Sequence, residues 1–234
     1  LSHSPIYIMI KKNLAIIALS SLAAAHAHAL PSLGAIANAV TPSSTASGGG
    51  ADAGAMQDQL SAAYGAAGKE VLLAQVNLAQ AVGLKEVAAQ AQATADALTS
   101  GATKDSLQES DKVQSEASKA IEAALKDGNT RMDAAGKAAY AEGMKHLGLG
   151  MLRYVGLRSN VMAFKDAAQA QLTSASIMDK MSLGSKLSTG TYIATELPGH
   201  VSRLSSTLQA ATAYAKSHDI PVPKDATAAL SSKF

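Results

Sequence analysis

The strongest constraint in this sequence is the spacing of its apolar residues, which recur every three or four positions in the long segments beyond residue 55. In the first segment the repeating residues are Leu60, Tyr64, Ala67, Val71, Ala74 and Leu78. Near the other end of the chain they are Val201, Leu204, Leu208, Ala211 and Ala215. This spacing places apolar side chains on one face of an α-helix. No segment shows a convincing strand pattern.

The composition favours the same fold class. Hydrophobic residues make up 47% of the chain, but only 3% of the residues are aromatic, and Trp is absent. Alanine, the best helix former, supplies much of the hydrophobic share, whereas sheet cores prefer β-branched and aromatic side chains. We therefore predict an all-α protein, with a single bundle of about five helices over residues 55–234.

Local signals divide this bundle into segments. We expect the first helix to end near Gly83, and a capping-box pattern at residues 106–109 to begin another with Ser106 as its cap. The segment 130–172 is longer than most helices, which predicts a kink near one of its glycines. The Leu-Pro-Gly sequence at 197–199 predicts a break before the last long helix, and residues 226–230 fit a short terminal helix.

The N-terminal region has the pattern of a secretory signal peptide over residues 1–29, with the true start at Met9. Lys11 and Lys12 precede an apolar run at residues 14–25, and small residues suited to signal peptidase follow. Cleavage fits after Ala27 or Ala29, and we favour Ala29; the alternative is an uncleaved N-terminal anchor. Residues 30–54 then form a flexible linker. The pattern predicts a periplasmic or secreted protein.

Charge and cysteine usage narrow the choice of partners. Removing Lys11 and Lys12 from the 20 basic residues leaves 18, equal to the 18 acidic residues. A neutral mature chain without basic runs argues against nucleic acid or an anionic membrane as its main partner. The absence of Cys excludes disulfides, and no apolar run after the signal is long enough to span a bilayer. We expect an unknown apolar ligand or an envelope protein as the partner.

The run at residues 140–158 is the densest group of unusual residues. It is not a dinucleotide loop, because Arg153 stands where the third glycine belongs and no strand precedes the run. On a helix, Gly136, Gly143 and Gly150 share one strip at sevenfold spacing. Glycine lets a backbone or a flat ligand approach closely, at a cost of about 1 kcal/mol of helix propensity each. We expect a neighbouring helix to fill the strip, and a ligand is the alternative.

A binding site, if present, is predicted beside this helix. His146 shares a polar face with Glu142 and Arg153, whereas methionines and tyrosines form an adjacent stripe. The predicted ligand-binding residues are Tyr140, Gly143, Met144, His146, Gly150, Met151, Arg153 and Tyr154.

The sequence favours an exported, non-enzymatic helical bundle that binds a partner or has a structural role in the periplasm or at the cell surface. We nominate no catalytic residue, metal ligand or cofactor, because no acid–base pair, nucleophile motif or metal-binding pair of histidines stands out. The alternative is a periplasmic metal or haem carrier that uses His146. Its other ligands would come from Met144, Met151, Met178 or Met181.

Overall fold

The fold was analysed in a computed structural model that describes residues 52–99, 101–127 and 130–232. All regular secondary structure in these ranges is α-helical, which confirms the predicted fold class. The helices are α1 (Ala53–Ala81), α2 (Lys85–Ala97), α3 (Lys104–Lys126), α4 (Ala134–Gly156), α5 (Arg158–Ser174), α6 (Ile177–Lys186), α7 (Ser188–Ser217) and α8 (Lys224–Ser231). The predicted signal peptide and all of the predicted linker up to residue 51 lie outside the described residues.

Short polar side chains begin several of these helices. Asp52 accepts a hydrogen bond from the backbone N–H of Gly54, so the end of the predicted linker is the cap of α1. Thr103 caps α3 by accepting from the N–H of Ser106 at 3.3 Å. The prediction that Ser106 is the cap was therefore wrong, because a hydroxyl three residues earlier occupies that position and Ser106 lies in the first turn.

Two other predicted boundaries can be compared with the structure. The long segment from 130 divides into α4 and α5 at Leu157, directly after Gly156, in line with the expected kink near a glycine. By contrast, the predicted break at 197–199 was wrong, because α7 continues through Pro198. Leu197 and His200 are buried on either side of the proline, so packing of both flanks holds the chain helical although the proline lacks an N–H.

The closest helix pair is α1 with α4. A Cβ atom placed on Gly143 would lie 2.7 Å from Cγ of Leu78, and one on Gly150 would lie 2.7 Å from Cγ2 of Val71. As the number rises by seven along α4, the number of its neighbour falls by seven along α1, so the helices run antiparallel. A helix thus fills the strip at Gly143 and Gly150, as expected. Gly136 does not share this contact: its Cβ would meet Met132 and Asp133 beside its own helix start.

The other helices assemble around this pair. α8 lies against α4 at Gly148, where a Cβ would come 2.5 Å from the backbone carbon of Asp225. α7 packs against α3 and α4, and both α2 and α5 pack against α1. The resulting core is aliphatic with a few large rings, and its largest fully buried side chains include Tyr64, Tyr140, Tyr154, Phe164, Leu60, Leu72, Leu78 and Met144.

We predict that Gly150→Ala destabilises the protein by about 1–3 kcal/mol, because the new methyl group forces α1 and α4 apart. Gly156→Ala is the matched control on the same helix, since its Cβ would meet no described atom within 4 Å. The control is expected to keep or slightly raise stability through the better helix propensity of Ala. Urea denaturation of both variants measures the difference, and equal stability of the two would contradict close packing at Gly150.

Candidate functional site

The structure places the eight predicted site residues in two different environments. Tyr140, Met144, Met151 and Tyr154 are at most 3% exposed, and Gly143 and Gly150 are covered by α1. These six residues are covered by α1 and by α7, which Tyr140 contacts through Ala211 and Tyr214, so a ligand could reach them only if neighbouring helices moved away from α4. Binding at this strip stays a prediction. Only His146 and Arg153 present accessible side chains.

His146 and Arg153 meet at a carboxylate that the sequence reasoning missed. Glu70, on α1, lies between them: its Oε2 is 2.8 Å from Nδ1 of His146, and its Oε1 is 3.0 Å from an Arg153 guanidinium nitrogen. A carboxylate can only accept, so His146 donates from Nδ1. Arg153 also donates to the backbone carbonyl of Ala66. We call Glu70, His146 and Arg153 the surface ion-pair network.

The network joins α1 to α4 electrostatically. The hydrogen bond from His146 and the charge of Arg153 hold the pKa of the Glu70 carboxyl below its ordinary value, against the opposing effect of burial. Glu142, which the sequence grouped with His146, is farther away at 3.4 Å from Nε2 and also pairs with Lys145 at 2.8 Å. The arrangement fits a clamp between two helices, with the imidazole edge at the surface.

The candidate metal ligands are dispersed. Met144 and Met151 point into the core, whereas His146 lies on a partly exposed side of the same helix. Met178 and Met181 are exposed on α6. Within the described ranges, no group of three His, Asp or Glu side chains could hold a metal ion. The carrier alternative stays a prediction that no contact among these residues favours.

A second polar group lies inside the bundle, where α1, α3, α4 and α7 meet. Its centre is Asp111 on α3, which is 7% exposed. One carboxylate oxygen, Oδ2, accepts hydrogen bonds from the hydroxyls of Tyr64 and Tyr192, each at 2.6 Å. Because Tyr64 belongs to α1 and Tyr192 to α7, this single oxygen connects three helices.

The same polar region continues through Gln114 and His200. Gln114 Oε1 lies 3.1 Å from Nε2 of His200, and its amide nitrogen donates to Ser110 at 2.9 Å. The ring of His200 packs edge-on against Tyr154, with 4.8 Å between centroids. We call Tyr64, Asp111, Gln114, Tyr154, Tyr192 and His200 the buried polar centre.

Burial controls the titration of this centre. It raises the pKa of Asp111 to about 6, although hydrogen bonds from Tyr192 and Tyr64 act in the opposite direction. It lowers the pKa of His200 to about 3, and the charge of Arg203 adds to that effect. Asp111 Oδ1 is buried and has no hydrogen-bond partner among the described residues. The buried polar centre therefore contains a hydrogen-bonding atom that the described contacts leave unsatisfied.

The sequence of α3 contains a pattern that indicates this buried centre, but a charged residue within the pattern made it resemble a solvent-exposed face. Leu107, Ser110, Asp111, Gln114 and Ser118 are all buried at the three- and four-residue spacing of a core-facing stripe. Polar residues at such positions suggest a hydrogen-bonded interior rather than a solvated face.

Open space in the described part of the chain lies at the surface. A cleft of about 540 Å³ is bounded by the start of α1, the end of α5 and the inner side of α6. In the described ranges, no helix is both long enough and apolar enough to cross a membrane.

Comparison with known proteins gave no match: no family model, no curated protein and no solved structure is similar to this chain. Its function must therefore be inferred from its own residues.

We predict that Glu70→Gln lowers stability at pH 7 by about 1 kcal/mol, because it removes the charge shared by His146 and Arg153. The folded-state pKa of Glu70 is depressed, so its contribution is present above pH 4.5 and is lost as the pH falls through the lowered value. Urea denaturation at pH 7 and pH 3 should show a larger loss at pH 7 than at pH 3.

Glu142→Gln serves as the control for this experiment, since Glu142 is 48% exposed and pairs within its own helix. Its effect should stay below about 0.5 kcal/mol. Equal losses in the two variants would show that the network does not stabilise the α1–α4 contact.

Proposed function

We propose that this chain is an exported, non-enzymatic helical-bundle protein, a binding or structural component of the bacterial periplasm or cell surface. The signal-peptide pattern of residues 1–29 supports export. The observation that carries the binding role is the outer face of α6. Ile177, Met178 and Met181 on this face are 83%, 85% and 81% exposed.

The orientation of α6 is the reverse of that expected for a helix on a protein surface. Its inner side contributes Asp179, Ser182, Lys186 and one apolar side chain, Leu183, to the cleft, while Ile177, Met178 and Met181 face outward. None of its ten residues, all of which the structure describes, is buried. Burying an exposed Ile or Met side chain is worth about 1.5–3 kcal/mol, so this face favours contact with an apolar surface.

The surroundings of α6 fit a protein partner. Only three residues between positions 167 and 195 are charged, namely Asp179, Lys180 and Lys186. Depletion of charge and enrichment in Met are typical of the centre of a protein–protein interface, and the flexible thioether adapts to irregular surfaces. The proposed partner is therefore an apolar patch on another protein of the envelope.

The attachment of α6 holds this face in place. Gln57 on α1 donates to the backbone carbonyl of Lys186 and accepts from the N–H of Gly190, both at 2.9 Å. These two bonds fix the junction between α6 and α7 on the start of α1. Gly190 itself lies against the ring of Phe164 on α5. The partner-binding face of α6 is thus held by a helix junction that packs against α1 and α5.

Thiol labelling tests this proposal, since the chain has no Cys. Met181→Cys should react quickly with a maleimide in the purified protein, because the position is exposed. In intact host cells, with a reagent that does not cross the inner membrane, the same thiol should react several-fold more slowly because the partner covers it.

Ala213→Cys, at an exposed position of α7, is the control and should react equally in both settings. If this control is not labelled in cells, the protein is not exported. If the thiol of the Met181→Cys variant reacts equally fast in cells and in the purified protein, no partner covers α6. Protection of the purified protein by phospholipid vesicles alone would identify a membrane surface and contradict a protein partner.

A further inference from the structure

The buried polar centre contains a histidine whose charge state is fixed by its neighbours. A nitrogen of the Arg203 guanidinium lies 3.3 Å from Nδ1 of His200. A guanidinium only donates, so Nδ1 must present its lone pair. The proton of the neutral ring is then on Nε2, which donates to Gln114 Oε1 at 3.1 Å. Both ring nitrogens are thus satisfied in the neutral form, and a second proton would face a permanent cation.

The surroundings of Asp111, in contrast, favour adding a proton to its carboxyl. Oδ2 is saturated by the hydroxyls of Tyr64 and Tyr192, but Oδ1 is buried without a partner in the described structure. An ionised carboxylate with one unpaired oxygen is costly in a low-dielectric interior. A proton on Oδ1 would remove the charge and convert this oxygen into a donor.

Tyr154 borders the same site. Its buried hydroxyl interacts with Gln114 and Tyr64, and the ring of Tyr64 is 4.9 Å from the ring of Tyr154. Burial raises the pKa of Tyr154 above its ordinary value, and the charge of Asp111 adds to that effect. Tyr154 therefore stays neutral and offers no counter-charge to Asp111.

The other charged or titratable groups that face Asp111 come from α7. Arg203 favours the ionised carboxyl, whereas Glu196 and the burial of the site favour the protonated form. Tyr192 donates to the carboxyl and has a raised pKa, so it stays a neutral donor. The guanidinium of Arg203 is shared with His200, which leaves Asp111 without a dedicated counter-ion in the described residues.

We propose that Asp111 is an internal proton-binding site: the folded bundle takes up one proton on Oδ1 in mildly acidic solution, while His200 stays neutral. Asp111 then holds in the folded state the proton that His200 holds in the unfolded chain. The inference concerns the interior of the bundle and is independent of the proposed partner at α6.

The opposite pKa shifts of Asp111 and His200 determine how the free energy of unfolding depends on pH. The pKa of Asp111 is raised from 3.8 to about 6, so its contribution is present below pH 3.8 and is lost as the pH rises to about 6. The pKa of His200 is lowered from 6.5 to about 3, so its contribution is present above pH 6.5 and is lost as the pH falls to about 3. Between about pH 4 and pH 6 the two slopes oppose each other and cancel.

Replacing either residue should therefore reveal the pH dependence of stability that the other contributes. The two slopes should be equal in size and opposite in sign. Relative to the unsubstituted protein, Asp111→Asn should show an unfolding constant that falls about tenfold, or about 1.4 kcal/mol, for each unit of rising pH between 4 and 6. His200→Gln should show a constant that rises by about the same factor. Urea denaturation at pH 4, 5 and 6 measures both, and Glu142→Gln is a surface control expected to follow the unsubstituted protein.

Carbon-13 NMR of the aspartate side chains supplies a test that does not depend on the folding of a variant. In the unsubstituted protein one aspartate carboxyl should titrate about two pH units above the ordinary value of 3.8. Titration of every aspartate carboxyl near the ordinary value would overturn the proposal. An Asp111→Asn variant with the same pH slope as the unsubstituted protein would overturn it as well.

Discussion

The close approach of α1 and α4 is the contact on which the rest of the bundle depends. At Gly143 and Gly150 the missing side chains allow Leu78 and Val71 to lie directly against the α4 backbone. Three glycines within eight positions of α4 weaken its own propensity, so tertiary packing must hold it helical. Because α4 is covered by α1, α7 and α8, a shift in the α1–α4 distance would be transmitted to all of them.

Polar contacts in the bundle have two different roles. On the surface, Glu70 joins His146 to Arg153 and thereby links α1 to α4. In the interior, Asp111 accepts hydrogen bonds from tyrosine hydroxyls of helices that are distant in sequence. At Glu70 the hydrogen bond from His146 and the charge of Arg153 outweigh the effect of burial on the carboxyl, whereas Asp111 has no comparable partner and burial raises its pKa.

The sequence predicted the helical class, the helix against the glycine strip and a kink near one of the glycines of residues 130–172, because these features follow from local spacing and backbone sterics. It could not identify Glu70 as the partner of His146, since that contact requires the register of α1 against α4. Asp111 was overlooked because an isolated carboxylate on a polar helix resembles a solvated residue. Leu-Pro-Gly was misinterpreted because burial on both sides of Pro198 outweighed the local preference for a break.

The bare backbone at Gly148 also bears on how the molecule is made. The α4 backbone at Gly148 is covered by α8. This helix is the last of the described helices to be synthesised, whereas α1 and α4 are available much earlier. Until that final segment arrives, the strip around Gly148 is uncovered and one side of α4 is open to water. Completion of this part of the core must therefore wait for α8, so the packing around α4 is finished late in synthesis.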